Sequence, residues 1–298
     1  MLLTFSCTNS SANSDRPTIR IAYLPITHAM PLLVQYELEG SSMESGYNIE
    51  LVKFNSWSEL LDALRQNRVD GASMLFETAL RISETSRDIK LVSMSHRSGN
   101  VVVTNDYIQS FQDLRGGTIA IPHRLSPHNT WLHMILEKEN MTLDDITVIE
   151  IAPAEMPSSL ISGAVSAFIV AEPYGSISAE SGLGEILFTS YDFEGHDTCC
   201  GLIFRSQFLS DNQEVMSEFL DNFHHAAEIA HERDEFIVQT YRNHINIREN
   251  VIRHSLEHIS FRDLSLSEEE FTYITDLILS YGVLDSVPSF SEFVYLQP

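Results

Sequence analysis

Three polar loops stand directly after apolar segments typical of β-strands, at residues 25–28, 121–129 and 170–174. In an α/β protein the loops after parallel strands open at the same edge of the sheet, so these loops are expected to line one cleft. Their side chains that could contact a ligand are Thr27, His28, Arg124, His128, Asn129, Glu172 and Tyr174. For Thr27 and His28 the alternative is a local role, capping the helix that follows them.

The loop at residues 121–129 carries a signal for an anion. Ser126 followed by Pro127 is typical of a helix start, with serine as the N-cap and proline as the first helical residue. His128 and Asn129 then fall in the first turn, where free backbone N–H groups and the helix dipole favour a negative charge. The alternatives are that His128 pairs locally and that Arg124 pairs with a surface carboxylate, a contact that contributes little.

An aromatic heterocycle is the other ligand that these residue types could bind. It would stack on Trp57, Phe76 or Tyr174, while Glu172 accepted a hydrogen bond from an amino group. Trp57 could equally belong to the core, and Glu172 could hold a hinge or salt bridge closed. The residues themselves leave the choice between oxyanion and heterocycle open.

The histidines and cysteines do not form a recognisable metal or catalytic motif. His254 and His258 stand four residues apart on a predicted helix, but Glu257 does not directly follow the first histidine, as the zinc-protease motif requires. Two solvated histidines on one helical face are therefore predicted. Cys199 and Cys200 are adjacent, lack metal-ligand spacing, and are expected to be small buried strand residues. With no nucleophile–base–orienter set visible either, we predict no catalytic residue, no cofactor and no metal.

The charge balance limits the classes of partner. Against 18 Lys and Arg residues stand 42 Asp and Glu residues, a net charge of −24 with histidine neutral. Such a surface repels phosphate backbones and anionic lipid headgroups, which argues against nucleic acid and against direct adsorption to a membrane. A well-solvated acidic surface is the simpler interpretation, and a cationic partner is the alternative.

The N-terminal residues resemble the lipobox of a bacterial lipoprotein. An apolar run at residues 2–6 leads into Cys7, and a polar stretch at residues 8–14 follows. We expect Cys7 to carry a lipid anchor and residues 8–16 to act as a flexible tether. The segment before Cys7 lacks a basic region and is short for a signal peptide, so the alternatives are a start inside a longer signal or an ordinary cysteine.

From residue 18 onward, short apolar strands alternate with amphipathic helices, the pattern of parallel α/β structure. Two such series, joined by crossing strands at residues 101–104 and 198–204, predict two lobes with a hinge and a cleft between them. The predicted division is residues 1–17 as signal remnant or tether, 18–103 with 199–298 as lobe one, and 104–198 as lobe two. Amphipathic helices after residue 213 are expected to complete lobe one.

Four stretches carry a family resemblance, at residues 20–28, 95–100, 121–129 and 171–175. In this order they resemble the nitrate/sulfonate/taurine/bicarbonate group of transporter substrate-binding proteins, which includes binders of a thiamine pyrimidine precursor. The resemblance covers roughly residues 18–232 and implies the type II periplasmic-binding-protein fold. It also implies a non-enzymatic receptor outside the cytoplasmic membrane that closes on an oxyanion or sulfonate-like solute and delivers it to an ABC permease and its ATPase. A thiamine-precursor binder, a biosynthetic enzyme on the same scaffold and a sensory protein are the alternatives.

Overall fold

The computed structural model describes residues 16–41, 45–193 and 198–296. The strands are β1 Thr18–Tyr23, β2 Asn48–Lys53, β3 Gly71–Leu75, β4 Ile89–Met94, β5 Arg97–Ser98, β6 Asn100–Thr104, β7 Thr118–Ile121, β8 Thr147–Glu150, β9 Ala167–Ala171, β10 Glu185–Thr189, β11 Cys200–Arg205 and β12 Ile259–Ser260. The helices are α1 Met30–Ser41, α2 Trp57–Arg65, α3 Phe76–Ser86, α4 Pro127–Lys138, α5 Met156–Ile161, α6 Tyr174–Glu180, α7 Ser206–Asp211, α8 Gln213–His231, α9 Glu235–His244, α10 Glu249–Glu257, α11 Glu268–Ser280 and α12 Phe290–Phe293.

Two five-stranded sheets form the centres of two lobes. The first sheet has the order β2-β1-β3-β11-β4 and the second the order β10-β6-β9-β7-β8. In the first sheet β1 is parallel to β2 and β3, while β11 runs antiparallel to β3 and β4. In the second, β7 is parallel to β8 and β9, while β6 runs antiparallel to β9 and β10. The antiparallel strand of each sheet is the one by which the chain enters from the other lobe, and the predicted two-lobed α/β fold is confirmed.

Helices cover both faces of each sheet, which explains the fully buried central strands. All residues of β3 and of β9 are buried, as expected for short strands enclosed on both sides. Helix α8, the first of the amphipathic helices expected after residue 213, packs on α1, and Met216, Phe219 and Phe223 in it are fully buried. Burial of such side chains contributes about 1.5–3 kcal/mol each, so the helices after the second crossing stabilise the first lobe.

Serine caps fix the starts of three helices, among them the start predicted at Ser126. The hydroxyls of Ser56, Ser126 and Ser267 each accept a hydrogen bond from the backbone N–H three residues on. Glu270 lies three residues after Ser267, at the capping-box position, but its side chain pairs with Arg97 in the segment between the lobes. The carboxylate therefore anchors a crossing segment to α11.

The two crossings lie side by side. The chain leaves the first sheet after β4 and returns to it at β11, and the Ser95 backbone N–H donates to the Cys200 carbonyl at 3.0 Å. The predicted boundaries at residues 103/104 and 198/199 stay predictions; β6 pairs within the second sheet and β11 within the first. Cys7 and its tether lie outside the described residues. In the described ranges, no helix has both the length and the apolar character needed to cross a membrane.

Candidate functional site

The first and third polar loops meet between the lobes. The Thr27 backbone N–H donates to the Glu172 carbonyl at 2.8 Å, and both residues are fully buried. The Thr27 hydroxyl lies 2.6 Å from the Tyr241 hydroxyl of α9. Because Thr27 follows β1 of the first sheet and Glu172 follows β9 of the second, this contact joins two strand ends across the cleft.

The second polar loop reaches the first lobe through the start of α3. The Thr130 hydroxyl of α4 donates to Glu77 Oε1 at 2.9 Å, and the Thr78 hydroxyl donates to the Leu125 carbonyl at 2.6 Å. Thr130 and Glu77 are both buried, with exposures of 0% and 1%. The structure is therefore a closed form, in which polar groups of both lobes bond to each other and are shielded from water.

Two carboxyl groups are buried in this closed cleft. Burial raises the pKa of Glu172 to about 7, although the backbone N–H and hydroxyl of Ser176 donate to it at 2.9 Å each and favour its charged form. Burial also raises the pKa of Glu77 well above its usual value, and Glu77 Oε2 has no hydrogen-bond partner among the described residues. Glu172 has a long contact to His258 Nε2 at 3.8 Å, and Glu77 Oε2 lacks a hydrogen-bond partner among the described residues, so the cleft suits a ligand that supplies N–H groups or positive charge.

Four further buried side chains converge beside these carboxyls. Ligand atoms of His28, His96, Cys199 and Cys200 all lie within 4.8 Å of one another. His28 Nδ1 is 3.4 Å from Cys200 Sγ, the two sulfurs are 3.8 Å apart, and the two ring centroids are 3.6 Å apart. Two nitrogens and two sulfurs are a donor set that suits Zn²⁺, so these residues could hold a metal.

Burial and neighbouring groups set the protonation of this cluster. Burial, reinforced by His28, lowers the pKa of His96 to about 4, which keeps the imidazole neutral. Burial raises the pKa of the Cys200 thiol. Burial opposes ionisation of Cys199 as well, but the hydrogen bond from Cys200 and the imidazoles of His128 and His28 hold its pKa below the usual value. The pair therefore presents one sulfur that ionises readily beside one that keeps its proton.

The two histidines at the end of α10 lie between the lobes and not on a solvated face. His254 Nδ1 lies 3.0 Å from a Glu180 carboxylate oxygen, and His258 Nε2 lies 3.8 Å from Glu172 Oε1. The reason is that α10 packs against α6 of the other lobe, a contact that helical spacing alone does not reveal. His258 therefore belongs to the surroundings of the cleft.

The structure brings part of the predicted site together. Thr27, His28, His128 and Glu172 are buried at the strand ends that face the opposite lobe. His128 is the second residue of α4, as predicted, and is close enough to influence Cys199 electrostatically. Tyr174 is half-buried and packs against the cores of both lobes.

The other predicted contacts lie elsewhere. Arg124 is exposed and donates to the Val148 carbonyl at 3.0 Å, and the Asn129 amide donates to the Arg124 carbonyl at 2.9 Å, so both bond within the second lobe. Trp57 and Phe76 are in the hydrophobic core of the first lobe. The Phe76 ring centroid lies 5.4 Å from that of Phe293, and the ring is fully buried.

Several residues of the site are absent from the sequence-based prediction. Glu77 directly follows Phe76 after β3, so the rule that selects strand ends could have found it. His96 and Cys199 lie on the crossings between the lobes, and only the pairing of those crossings brings them together. Tyr241 comes from a C-terminal helix and carries no local signal.

Comparison with known proteins finds similarity to binding proteins of importers. A model of the NMT1-like family matches residues 12–240. A ligand-binding component of an ABC-type import system from Staphylococcus aureus, solved with zinc bound, is 29% identical and superimposes with a TM-score of 0.89 over 94% of this chain and 97% of that one. The periplasmic aliphatic sulphonate-binding protein of Escherichia coli is 17% identical and superimposes with a TM-score of 0.78 over 94% of this chain and 92% of that one. The periplasmic nitrate-binding protein of Synechocystis is 15% identical and superimposes with a TM-score of 0.80 over 93% of this chain and 84% of that one.

Curated relatives match over a shorter part of their length. A nitrate import ATP-binding protein of Synechocystis is 26% identical over 204 residues, which are 61% of this chain and 30% of that protein. A bicarbonate transport ATP-binding protein of Synechococcus elongatus is 22% identical over 203 residues, 61% of this chain and 31% of that protein. The chain thus spans about three tenths of the length of these relatives.

Proposed function

This chain belongs to the NMT1-like family, and we propose that it is the solute-binding component of an ABC importer, which closes its two lobes on a small molecule. It binds its solute without changing a bond and releases it to a permease driven by an ATPase. The observation that carries the proposal is the set of buried polar contacts between the lobes, Thr27 with Glu172 and Thr130 with Glu77. Side-by-side crossings make a hinge, about which the lobes open and close around a solute.

The cleft supports a solute with N–H donors or a positive charge. Glu77 and Glu172 are buried acceptors, and a donor group brought by a solute would satisfy Glu77 Oε2. An amino-substituted heterocycle, such as a pyrimidine, fits this requirement. The half-buried ring of Tyr174, which packs between the lobes, is available to stack on it.

An oxyanion or sulfonate is the second candidate. Its support is His128 in the first turn of α4, where the helix dipole favours an anion, and the sulphonate and nitrate binding of similarly folded proteins. Against it, Arg124 bonds within its own lobe, and Glu172, whose pKa is about 7, would repel an anion whenever it is ionised.

The same proposal places the protein outside the cytoplasmic membrane. A lipid on Cys7 would tether it there, with residues 8–16 as the flexible link to the first lobe. The net charge of −24 keeps the domain away from anionic headgroups, so contact with the membrane is confined to the anchor.

A thermal-shift screen of the purified protein tests this function. The panel holds aminopyrimidines, nitrate, bicarbonate, taurine and alkanesulfonates, each raised well above its expected dissociation constant. A true solute at about 100 times its Kd adds roughly 2.7 kcal/mol and gives a clear rise in Tm. Mass spectrometry of the released solute completes the test: an unchanged solute supports a receptor, and a converted one contradicts it. A silent panel contradicts both solute classes.

A further inference from the structure

We infer that His28, His96, Cys199 and Cys200 form a binding site for a borderline-soft d-block cation of the Zn²⁺ class, at the hinge between the lobes. All four side chains are buried, with exposures of 0%. The inference goes beyond the proposed function, because a metal at the hinge is a feature of the protein whichever solute the cleft accepts.

The distances match a tetrahedral site. With Zn–S near 2.3 Å and Zn–N near 2.05 Å, tetrahedral angles place two sulfurs about 3.8 Å apart and a nitrogen and a sulfur about 3.6 Å apart. Here Cys199 Sγ and Cys200 Sγ are 3.8 Å apart, and His28 Nδ1 and Cys200 Sγ are 3.4 Å apart. Since every ligand atom lies within 4.8 Å of the others, small side-chain shifts would place all four around one ion.

A second set of contacts orients His28. Its Nε2 donates to the Gly99 carbonyl at 3.0 Å, which leaves Nδ1 to face the sulfurs. Metal-binding histidines typically donate their second N–H to a carbonyl in this way. Gly99 has a φ of +89°, and a Cβ there would lie 2.9 Å from His28 Nε2, so only glycine lets the backbone approach the ring.

His96 is the second imidazole of the cluster. It is fully buried, and its Nδ1 has no hydrogen-bond partner among the described residues. Its Nε2 accepts from the Cys200 backbone N–H at 3.2 Å. An ion bound to His96 Nδ1 would shift the ring proton to Nε2, which could then no longer accept a hydrogen bond from the Cys200 N–H. An ion bound to Nε2 would displace that N–H directly. In both cases the hydrogen bond from the Cys200 N–H is lost, and the coordinate bond to the ion offsets that loss.

The position of the ligands couples the ion to the lobes. His96 lies on the crossing between β4 and β6, whereas Cys199 and Cys200 lie where the chain returns to β11. His28 is next to Thr27, whose backbone bonds to Glu172 of the second lobe. One ion would therefore link both crossings to the first polar loop. The net charge of −24 would attract cations to the protein.

Cobalt titration tests the site directly. The purified full chain is reduced, treated with a chelator, titrated with Co²⁺ and then with Zn²⁺. We expect one Co²⁺ per chain, a thiolate-to-cobalt charge-transfer band, visible bands of tetrahedral Co²⁺, and loss of all bands on adding Zn²⁺. Cys199→Ser and Cys200→Ser should each weaken binding by at least about 100-fold, since even outer-shell changes cost 10–100-fold.

Two matched controls separate the cluster from other thiols and imidazoles. Cys7→Ser removes the remaining cysteine and His225→Ala removes an exposed imidazole, and both should bind Co²⁺ like the unmodified chain. Should the Cys199 or Cys200 variant fail to fold, X-ray absorption of the Zn²⁺-loaded unmodified chain decides. Two sulfur and two nitrogen atoms bound to the Zn²⁺ support the proposed site, and a coordination shell without sulfur overturns the proposal. The proposal is also overturned if the charge-transfer band is absent or if a folded Cys199→Ser chain binds Co²⁺ as tightly as the unmodified chain. Neither result bears on the solute screen, which tests the proposed function separately.

Discussion

The bond between Thr130 and Glu77 allows lobe closure to be weakened without touching either lobe's core. Thr130→Val keeps the shape of the side chain and removes the hydroxyl that donates to Glu77 Oε1 at 2.9 Å. In the closed form Glu77 is 1% exposed and its Oε2 has no partner among the described residues, so the carboxyl loses its donor from the second lobe. In an open form water replaces that donor, so the substitution changes the free energy of the open form little.

The expected size follows from this difference between the two forms. Leaving a buried acceptor unsatisfied costs about 1–3 kcal/mol. A penalty of that size on the closed form alone shifts the opening equilibrium about 5–150-fold. Global stability should change less, because neither hydrophobic core loses a contact.

Hydrogen–deuterium exchange measures the opening. Backbone amides around Thr130 and Glu77 should exchange faster in Thr130→Val by that factor, while amides of β3 and β9 keep their rates. Thr275→Val is the matched control, because its buried hydroxyl donates to Phe271 within α11 and not across the cleft. Equal exchange rates in Thr130→Val and Thr275→Val would show that this bond does not hold the lobes closed.

Three further substitutions test individual assignments. Phe76→Ala should lower the free energy of unfolding by about 3–5 kcal/mol, measured by urea denaturation, because the ring packs on Phe293 in the core; loss of solute affinity without loss of stability would instead make it a ligand contact. Arg124→Ala should leave solute affinity unchanged in calorimetry, since its guanidinium bonds the Val148 carbonyl; a large loss of affinity would restore it to the site. Burial raises the pKa of Glu39 to about 7, so the folded state holds a proton that the unfolded state releases above pH 4.5, and stability falls as pH rises toward 7. Glu39→Gln should remove that fall in urea midpoints measured against pH, and identical pH profiles would contradict it.

Much of the fold was predictable because its signals are local. Alternating strands and helices, the Ser126–Pro127 helix start and the apolar stripe of α8 each depend on neighbours within a few residues. The crossing strands β6 and β11 were also recognisable as apolar runs that interrupt the two series.

The site was predictable only in part, because its residues are brought together by pairing over long distances in sequence. Strand-end loops correctly indicated that residues such as Thr27 and Glu172 would face the cleft. The same rule could not show that Arg124 bonds within its own lobe, since side-chain direction depends on neighbouring strands. The cluster of His28, His96 and Cys199 depends on the two crossings lying side by side, which no spacing in the sequence encodes.

Small-angle X-ray scattering, recorded with and without the solute found in the screen, tests the central claim of a receptor that closes. We expect the solute to lower the radius of gyration and to bring the scattering curve to that of the closed structure, in a dose-dependent way. A solute that binds with full occupancy and leaves the radius of gyration unchanged would contradict lobe closure as the basis of function.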